Sequence, residues 1–228
     1  MSKLAFLSAL AIAGLVAAPL AQAESEQQQA VDDAATVVEH IRSGHDDIAA
    51  KARELIHQAR AVMIIPELVK GGFFIGAQGG TGVLMARAGA HDWSDPAFFA
   101  MGAGSFGLQI GAEGGSVIFV VMNDGALKKL VNGTGVNLGG DLSIAVGPYG
   151  GGAQGATTAN LGADLVAFSA QQGIFGGAAV QGGAVQPRQE WNAAYYGPAA
   201  TPRAIIAGEV HNRGARGLIE ALAIGERR

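Results

Sequence analysis

Residues 70–87 read KGGFFIGAQGGTGVLMAR, and residues 101–115 read MGAGSFGLQIGAEGG. One phrase is written twice: Ile75–Gly80 is I-G-A-Q-G-G and Ile110–Gly115 is I-G-A-E-G-G, with Gln78 in one copy and Glu113 in the other. A weaker echo, A-A-V-Q-G-G, runs from Ala178 to Gly183. Glycine weakens a strand unless the missing side chain is itself needed, so glycines alternating with apolar residues predict sheet strands pressed against another backbone or a ring. Gly76 and Gly111, equivalent in the two copies, are expected at such contacts. Neither copy holds a nucleophile, a base or a set of metal ligands, so the phrase predicts a scaffold.

Of the 36 glycines, 29 lie between Gly71 and Gly183, which separates a helical amino-terminal part from a sheet-rich body. Strands are expected at 73–77, 82–87, 105–112, 117–122, 141–146, 152–157, 164–169 and 174–185. Val62–Ile65 reads as a further strand ended by Pro66, and 203–207 as the last one. The connections are too short for repeated crossovers, which makes the sheet largely antiparallel. WSDPAFF, residues 93–99, reads as a linker between the two glycine-rich runs; exposed aromatics there would offer a protein-docking surface.

Upstream, residues 24–29 are a polar leader, and Val31, Ala34, Ala35, Val38 and Ile41 then recur at helical spacing. Ser43-Gly44 breaks that pattern and Asp46-Asp47 suits the start of a second helix, with an apolar stripe through Ile48, Ala52, Leu55, Ile56, Ala59 and Val62. Lys51, Arg53 and Arg60 lie on its polar flank, so the helix either packs on the sheet or lies on a membrane; packing is the expectation. Asn123-Asp124-Gly125 reads as a turn, and Asp124 is placed to cap a short helix through Val131. PRQEWNAAYYG gives a turn or two of helix ending at Gly197, and 214–223 a final helix. The class is α+β: a glycine-rich, largely antiparallel and strongly curled sheet with amino-terminal, short internal and carboxy-terminal helices packed on it.

Lys3, the apolar run Leu4–Val16 and Ala21-Gln22-Ala23 form a secretory signal, residues 1–23, with cleavage expected after Ala23 and export to the periplasm. The apolar run is shorter than the roughly 20 residues of a spanning helix. Residues 24–44 then hold the leader and first amphipathic helix, and 45–228 a single domain. The absence of cysteine excludes disulfides and a lipid-modified cysteine. With 15 basic against 19 acidic residues the formal charge is -4, and it falls further once Lys3 is removed. That balance argues against a nucleic-acid binder, and attraction to an anionic surface must be local.

No enzyme is expected. Gly102-Ala103-Gly104-Ser105-Phe106-Gly107 matches the dinucleotide fingerprint, but it runs into a strand-like segment where the fingerprint needs a helix. His40, His45, His57, His91 and His211 are scattered, and no cofactor or metal site is expected. Asp92 and Asp95 in HDWSDP suit a turn, with a cation held by carboxylates and carbonyls as the alternative. The candidate ligand residues are cations beside glycine-rich turns, where an ammonium and free backbone N–H groups can hold a phosphate: Lys70, Arg87, Lys128 and Lys129.

VKGGFFIGAQGGTGVLM, WSDPAFFAMGAGSFGLQIGAE and LVNGTGVNLGGDLSIAVGP, with AYYG at Ala194–Gly197, resemble the SYLF domain family from about Leu55 to Leu222. The resemblance implies phospholipid binding without catalysis; fungal members of that family bind actin filaments. It therefore implies an anionic membrane surface as partner, with an envelope scaffold that docks a protein as the alternative. Export argues against actin. Where the family often carries S-R-S-K-G this chain has Ser169-Ala170-Gln171-Gln172-Gly173, and Gly151 stands where arginine is common. Both departures remove positive charge, each worth about 1 kcal/mol near an anionic surface, and predict modest affinity.

Overall fold

The computed structural model describes residues 25–72, 75–89, 92–106, 113–146, 162–169 and 182–224. The signal segment, Gly111, the strand expected at 152–157, most of those at 105–112 and 174–185, and both departures from the family pattern lie outside these residues, apart from Ser169.

Among the described residues, one sheet of eight strands organises the fold. Strand β1 (Ala61–Gly72) sits between β2 (Ile75–Ala86) and β4 (Glu113–Val121). Beyond β2 come β3 (Ala97–Phe106), β8 (Gly183–Pro187) and the short β5 (Val136–Asn137); beyond β4 come β7 (Leu165–Ser169) and β6 (Ile144–Val146). Among the described residues every strand pairing is antiparallel except β6 with β7, and the sheet is curled, as the glycine content predicts. The repeated phrase has a structural meaning here: the first copy lies in β2 and the described end of the second, residues 113–115, lies in β4, on the two sides of β1. Lys70 of β1 is in register with Gln78 of β2 on one side and with Glu113 of β4 on the other.

The expectation that Pro66 ends a strand is wrong. β1 continues to Gly72 by shifting register between Ile65 and Leu68 against β4, and between Ile64 and Val69 against β2. Proline has no N–H to give, so a strand paired on both sides must bulge around it. Glycines of β2 make room for the bulge: a Cβ on Gly80 would overlap the Glu67 carbonyl oxygen, and one on Gly82 the Ile64 carbonyl oxygen. Close backbone approach thus accounts for glycine at these two positions. The described parts of the strands expected separately at 73–77 and 82–87 belong to one continuous β2, in which Gly76 pairs with Gly72 and Ser105.

Helices cover both faces. On one face lie α1 (Glu26–Ser43), α2 (Asp47–Gln58) and α6 (Arg216–Ile224), which bury Val31, Val38, Leu55 and Leu218 over Val62, Ile64, Val83 and Phe98. On the other lie α3 (Asp124–Asn132) and α5 (Pro202–Ile206), which bury Ala126, Leu130 and Ile205 over Met63, Leu84, Phe119 and Val121. Strand alternation sends neighbouring residues of β1 to opposite faces, so the run Ala61–Ile65 is buried throughout. Helix α4 (Gln189–Tyr196) ends at Gly197, whose φ of 107° favours glycine.

Local caps explain the helices and three misreadings. Ser25 accepts from the Gln28 N–H, so the supposed polar leader is the first turn of α1. Asp46 caps α2 as expected, whereas Asn123, not Asp124, caps α3. Residues 203–207, expected as a strand, belong largely to α5, because Thr201 caps it and Pro202 supplies a preset first turn. WSDPAFF is not an exposed linker: Trp93, Ser94, Asp95, Phe98 and Phe99 are buried and its last three residues begin β3. Phe98 meets Trp191 and Tyr195 edge to face, so the aromatics that would dock a partner are spent on the core.

Candidate functional site

Arg53 and Arg87 show how the helical face is tied down. The carboxy-terminal end of a helix leaves carbonyls unpaired and carries partial negative charge, which suits a cation. Arg53 Nη1 donates to the carbonyls of Ile41 and Gly44, 2.7 Å each, and so closes the end of α1 with a side chain from α2. Arg87 does the same for α2, donating from Nε to Ala59 O (3.1 Å) and from Nη2 to Ile56 O (2.8 Å) while stacking 4.5 Å over Trp93.

Where α1, α2 and α6 meet, they leave a cleft with about 50 Å³ open to water. Its floor is apolar, made by Val38, Ile41, Ile56, Ala221 and Leu222, and Arg42, Arg53 and His57 complete its wall. Arg42 bonds Glu39 on its own helix. Arg53, by contrast, has carbonyl partners and, among the described residues, no carboxylate. The arrangement can take an apolar group below a guanidinium.

The four cations singled out from sequence do not assemble. Lys70 lies nine residues along β1 from Ala61, about 30 Å at 3.3 Å per residue, whereas Ala61 pairs with Ala86, the neighbour of Arg87. Arg87 is engaged on the face carrying α2. Lys128 and Lys129 are exposed on α3, over the opposite face, and Lys129 Nζ donates to Asp141 O at 2.7 Å. Only these last two lie together. Asp92 and Asp95 do not form a cation site either: Asp95 is buried, its Oδ2 2.7 Å from His211 Nδ1 and its Oδ1 accepting from the Asn212 N–H. Among the described residues, no group of three acidic or histidine side chains is placed to hold a metal.

Sequence reasoning missed a second cluster beside this pair. Gln28 donates to Gly214 O at 3.1 Å and accepts from the Tyr195 hydroxyl at 2.7 Å, while Tyr196 donates to Pro96 O at 2.8 Å. Burial, then the Asp32 and Asp95 charges, pushes the Tyr195 phenol up to about 12. Tyr196 moves further in the same direction, again chiefly by burial. The cluster anchors the segment that delivers α6 to the cleft. Its signal in the sequence was Ser25-x-x-Gln28, a capping pattern that marks residue 28 as helical.

The described residues form an eight-stranded glycine-rich sheet clad by helices on both faces, which with its helical cleft and basic wall defines a small α+β domain. Residues 102–224 match the model of the Ysc84 family, described as Las17-binding protein actin regulator. The chain is 31% identical over 159 residues to LAS seventeen-binding protein 3 of Saccharomyces cerevisiae, which covers 69% of this chain and 34% of that protein. It is 32% identical over 158 residues to Protein YSC84 of the same species, 68% of this chain and 34% of the relative. Against SH3 domain-containing YSC84-like protein 1 of Homo sapiens it is 29% identical over 155 residues, 68% of this chain and 44% of the relative. The chain belongs to the Ysc84, or SYLF, family, and spans between a third and a half of the length of these curated relatives.

Proposed function

We propose that this chain is a non-catalytic phospholipid-binding module of the bacterial periplasm or cell envelope, meeting anionic membrane through its helical face. The cleft between α1, α2 and α6 carries the reading. An apolar floor beneath guanidinium groups matches the two halves of an anionic amphiphile, and membrane binding scales with apolar burial plus attraction to anionic head groups. Glu39 offsets part of the local charge, so binding is weak and salt-sensitive. No helix among the described residues is long and apolar enough to cross a membrane.

Co-sedimentation with phosphatidylglycerol vesicles, against phosphatidylcholine vesicles, tests the proposal. Arg42→Gln removes one cation at the wall and lowers anionic binding about 5-fold, the equivalent of about 1 kcal/mol. The Lys128→Gln, Lys129→Gln double variant binds nearly as the parent, because α3 covers the opposite face of the sheet. Loss confined to the double variant moves the contact to α3, and no pelleting with anionic vesicles at low salt refutes the proposal. The names of the yeast relatives favour a second reading, an envelope scaffold that binds a protein without lipid. Failure to pellet at low salt is the result that would promote it.

A further inference from the structure

We propose that the cleft takes one alkyl chain bearing a carboxylate, a free fatty-acid anion held as a monomer, an inference that rests on the lipid reading and names the ligand of the same site. Capacity is the first argument. About 50 Å³ open to water accommodates a handful of water molecules, each needing on the order of 10–15 Å³ by the same measure. A few methylene groups match that space, which favours the end of a single chain over two chains side by side.

Charge is the second argument. Arg53 brings a full positive charge to the wall, and its partners are the carbonyls of Ile41, Arg42 and Gly44, with no carboxylate among the described residues. A carboxylate at the mouth meets the charge-assisted donor that the fold leaves without an acid. The apolar floor beneath, Ile41, Ile56 and Leu222, then receives the adjoining methylenes. The three helices that form the cleft join sequence positions from opposite ends of the chain, so occupation would clamp α6 against α1 and α2.

Isothermal titration of the intact chain with butanoate, hexanoate, octanoate, decanoate and dodecanoate, all below their micelle concentrations, is the test. Affinity should rise about 4-fold per methylene, the equivalent of burying one CH₂, and level off once the cleft is full. Octanol should bind more weakly than octanoate, since it brings no charge to Arg53. Ile56→Trp, at a half-buried position on the floor, should abolish binding, and a melting curve checks that it folds. Arg53→Gln should erase the preference for octanoate over octanol. The inference is overturned by absence of heat with every chain length at two well-separated temperatures, by affinity that keeps rising through dodecanoate, or by parental binding in Ile56→Trp. Phosphatidylglycerol co-sedimentation run in parallel separates the two claims: vesicles bound without fatty acid sinks this inference alone, and fatty acid bound without vesicles sinks the membrane reading alone.

Discussion

Replacing Gly82 by alanine should destabilise this chain, while the same replacement at Gly102 should not. Both glycines lie in the sheet, Gly82 in β2 and Gly102 in β3, and neither has a positive φ. A Cβ on Gly82 would overlap the Ile64 carbonyl oxygen and stand 2.8 Å from Ile65 Cγ1, in the strand that bulges at Pro66. The carbonyl belongs to a backbone held between two strands and cannot swing away, so β1 or β2 must shift. Overpacking of this kind costs about 1–3 kcal/mol. Around Gly102 nothing lies within 4 Å of the added carbon. Alanine there should gain about 0.4–1 kcal/mol from a less flexible unfolded chain. For a domain of this size 1 kcal/mol moves Tm by about 2–4 °C. Gly82→Ala should therefore melt about 2–12 °C below the parent and Gly102→Ala at or slightly above it. Thermal unfolding followed by circular dichroism decides the matter. Coincident melting of the two variants would refute the claim that β2 carries glycine to receive the bulge of β1.

Three other outcomes follow from the same geometry. Asn192 is fully buried and bonds both the N–H and the carbonyl of Phe98, at 2.8 and 3.2 Å, just beyond the point where β8 ends in Pro187; Asn192→Leu should cost about 1–3 kcal/mol, measured by chemical denaturation, because it strands a buried N–H. The Asp164 carboxyl is held below its usual range by hydrogen bonds from Asn123 and Ser143, against the opposing effect of burial. A lowered folded pKa gives stability that is present above the unfolded pKa of about 3.9 and is lost as pH falls through the folded one, so the gap in Tm between parent and Asp164→Asn should close on acidification. Tyr195 is pushed up to about 12 and Tyr196 is raised further, so stability from both is complete below pH of about 10 and is lost above it; phenolate absorbance should show the pair ionising together with alkaline unfolding. Ionisation of either tyrosine near 10 in a chain still folded by circular dichroism would contradict their burial.

What the sequence disclosed depended on how far each signal reaches along the chain. The helices α1, α2 and α4 were legible because caps and stripes are local: Asp46 accepts from the amide three residues on, and Val31, Ala34, Val38 and Ile41 mark one face. Short segments failed where two local signals compete. Ala204-Ile205-Ile206 looks like a strand by side chain, but Thr201-Pro202 settles the backbone as a helical turn. Pro66 announced a break in pairing and only the neighbouring glycines told that the strand would survive it as a bulge. Burial of WSDPAFF was not legible, since α4 and its aromatics, which cover Phe98, lie far downstream.

The site was the least legible part for the same reason. Lysine and arginine could be named from residue type, but which of them share a face depends on where strands put their neighbours, and β1 alone separates Lys70 from the Arg87 end by most of its length. Arg87 reads as a ligand residue in the sequence and is a brace in the fold, because the end of α2 lies against it. Arg53 reads as one of several cations on a polar flank, yet the fold gives it carbonyls on one side and an apolar cleft on the other. The cleft needs Ala221 and Leu222, and the segment between α5 and α6 that leads to them is held by Asp95, Tyr195 and Gln28. Function, on this reading, belongs to the junction of the chain's two ends, and the glycine-rich sheet between them serves as the plate on which that junction is assembled.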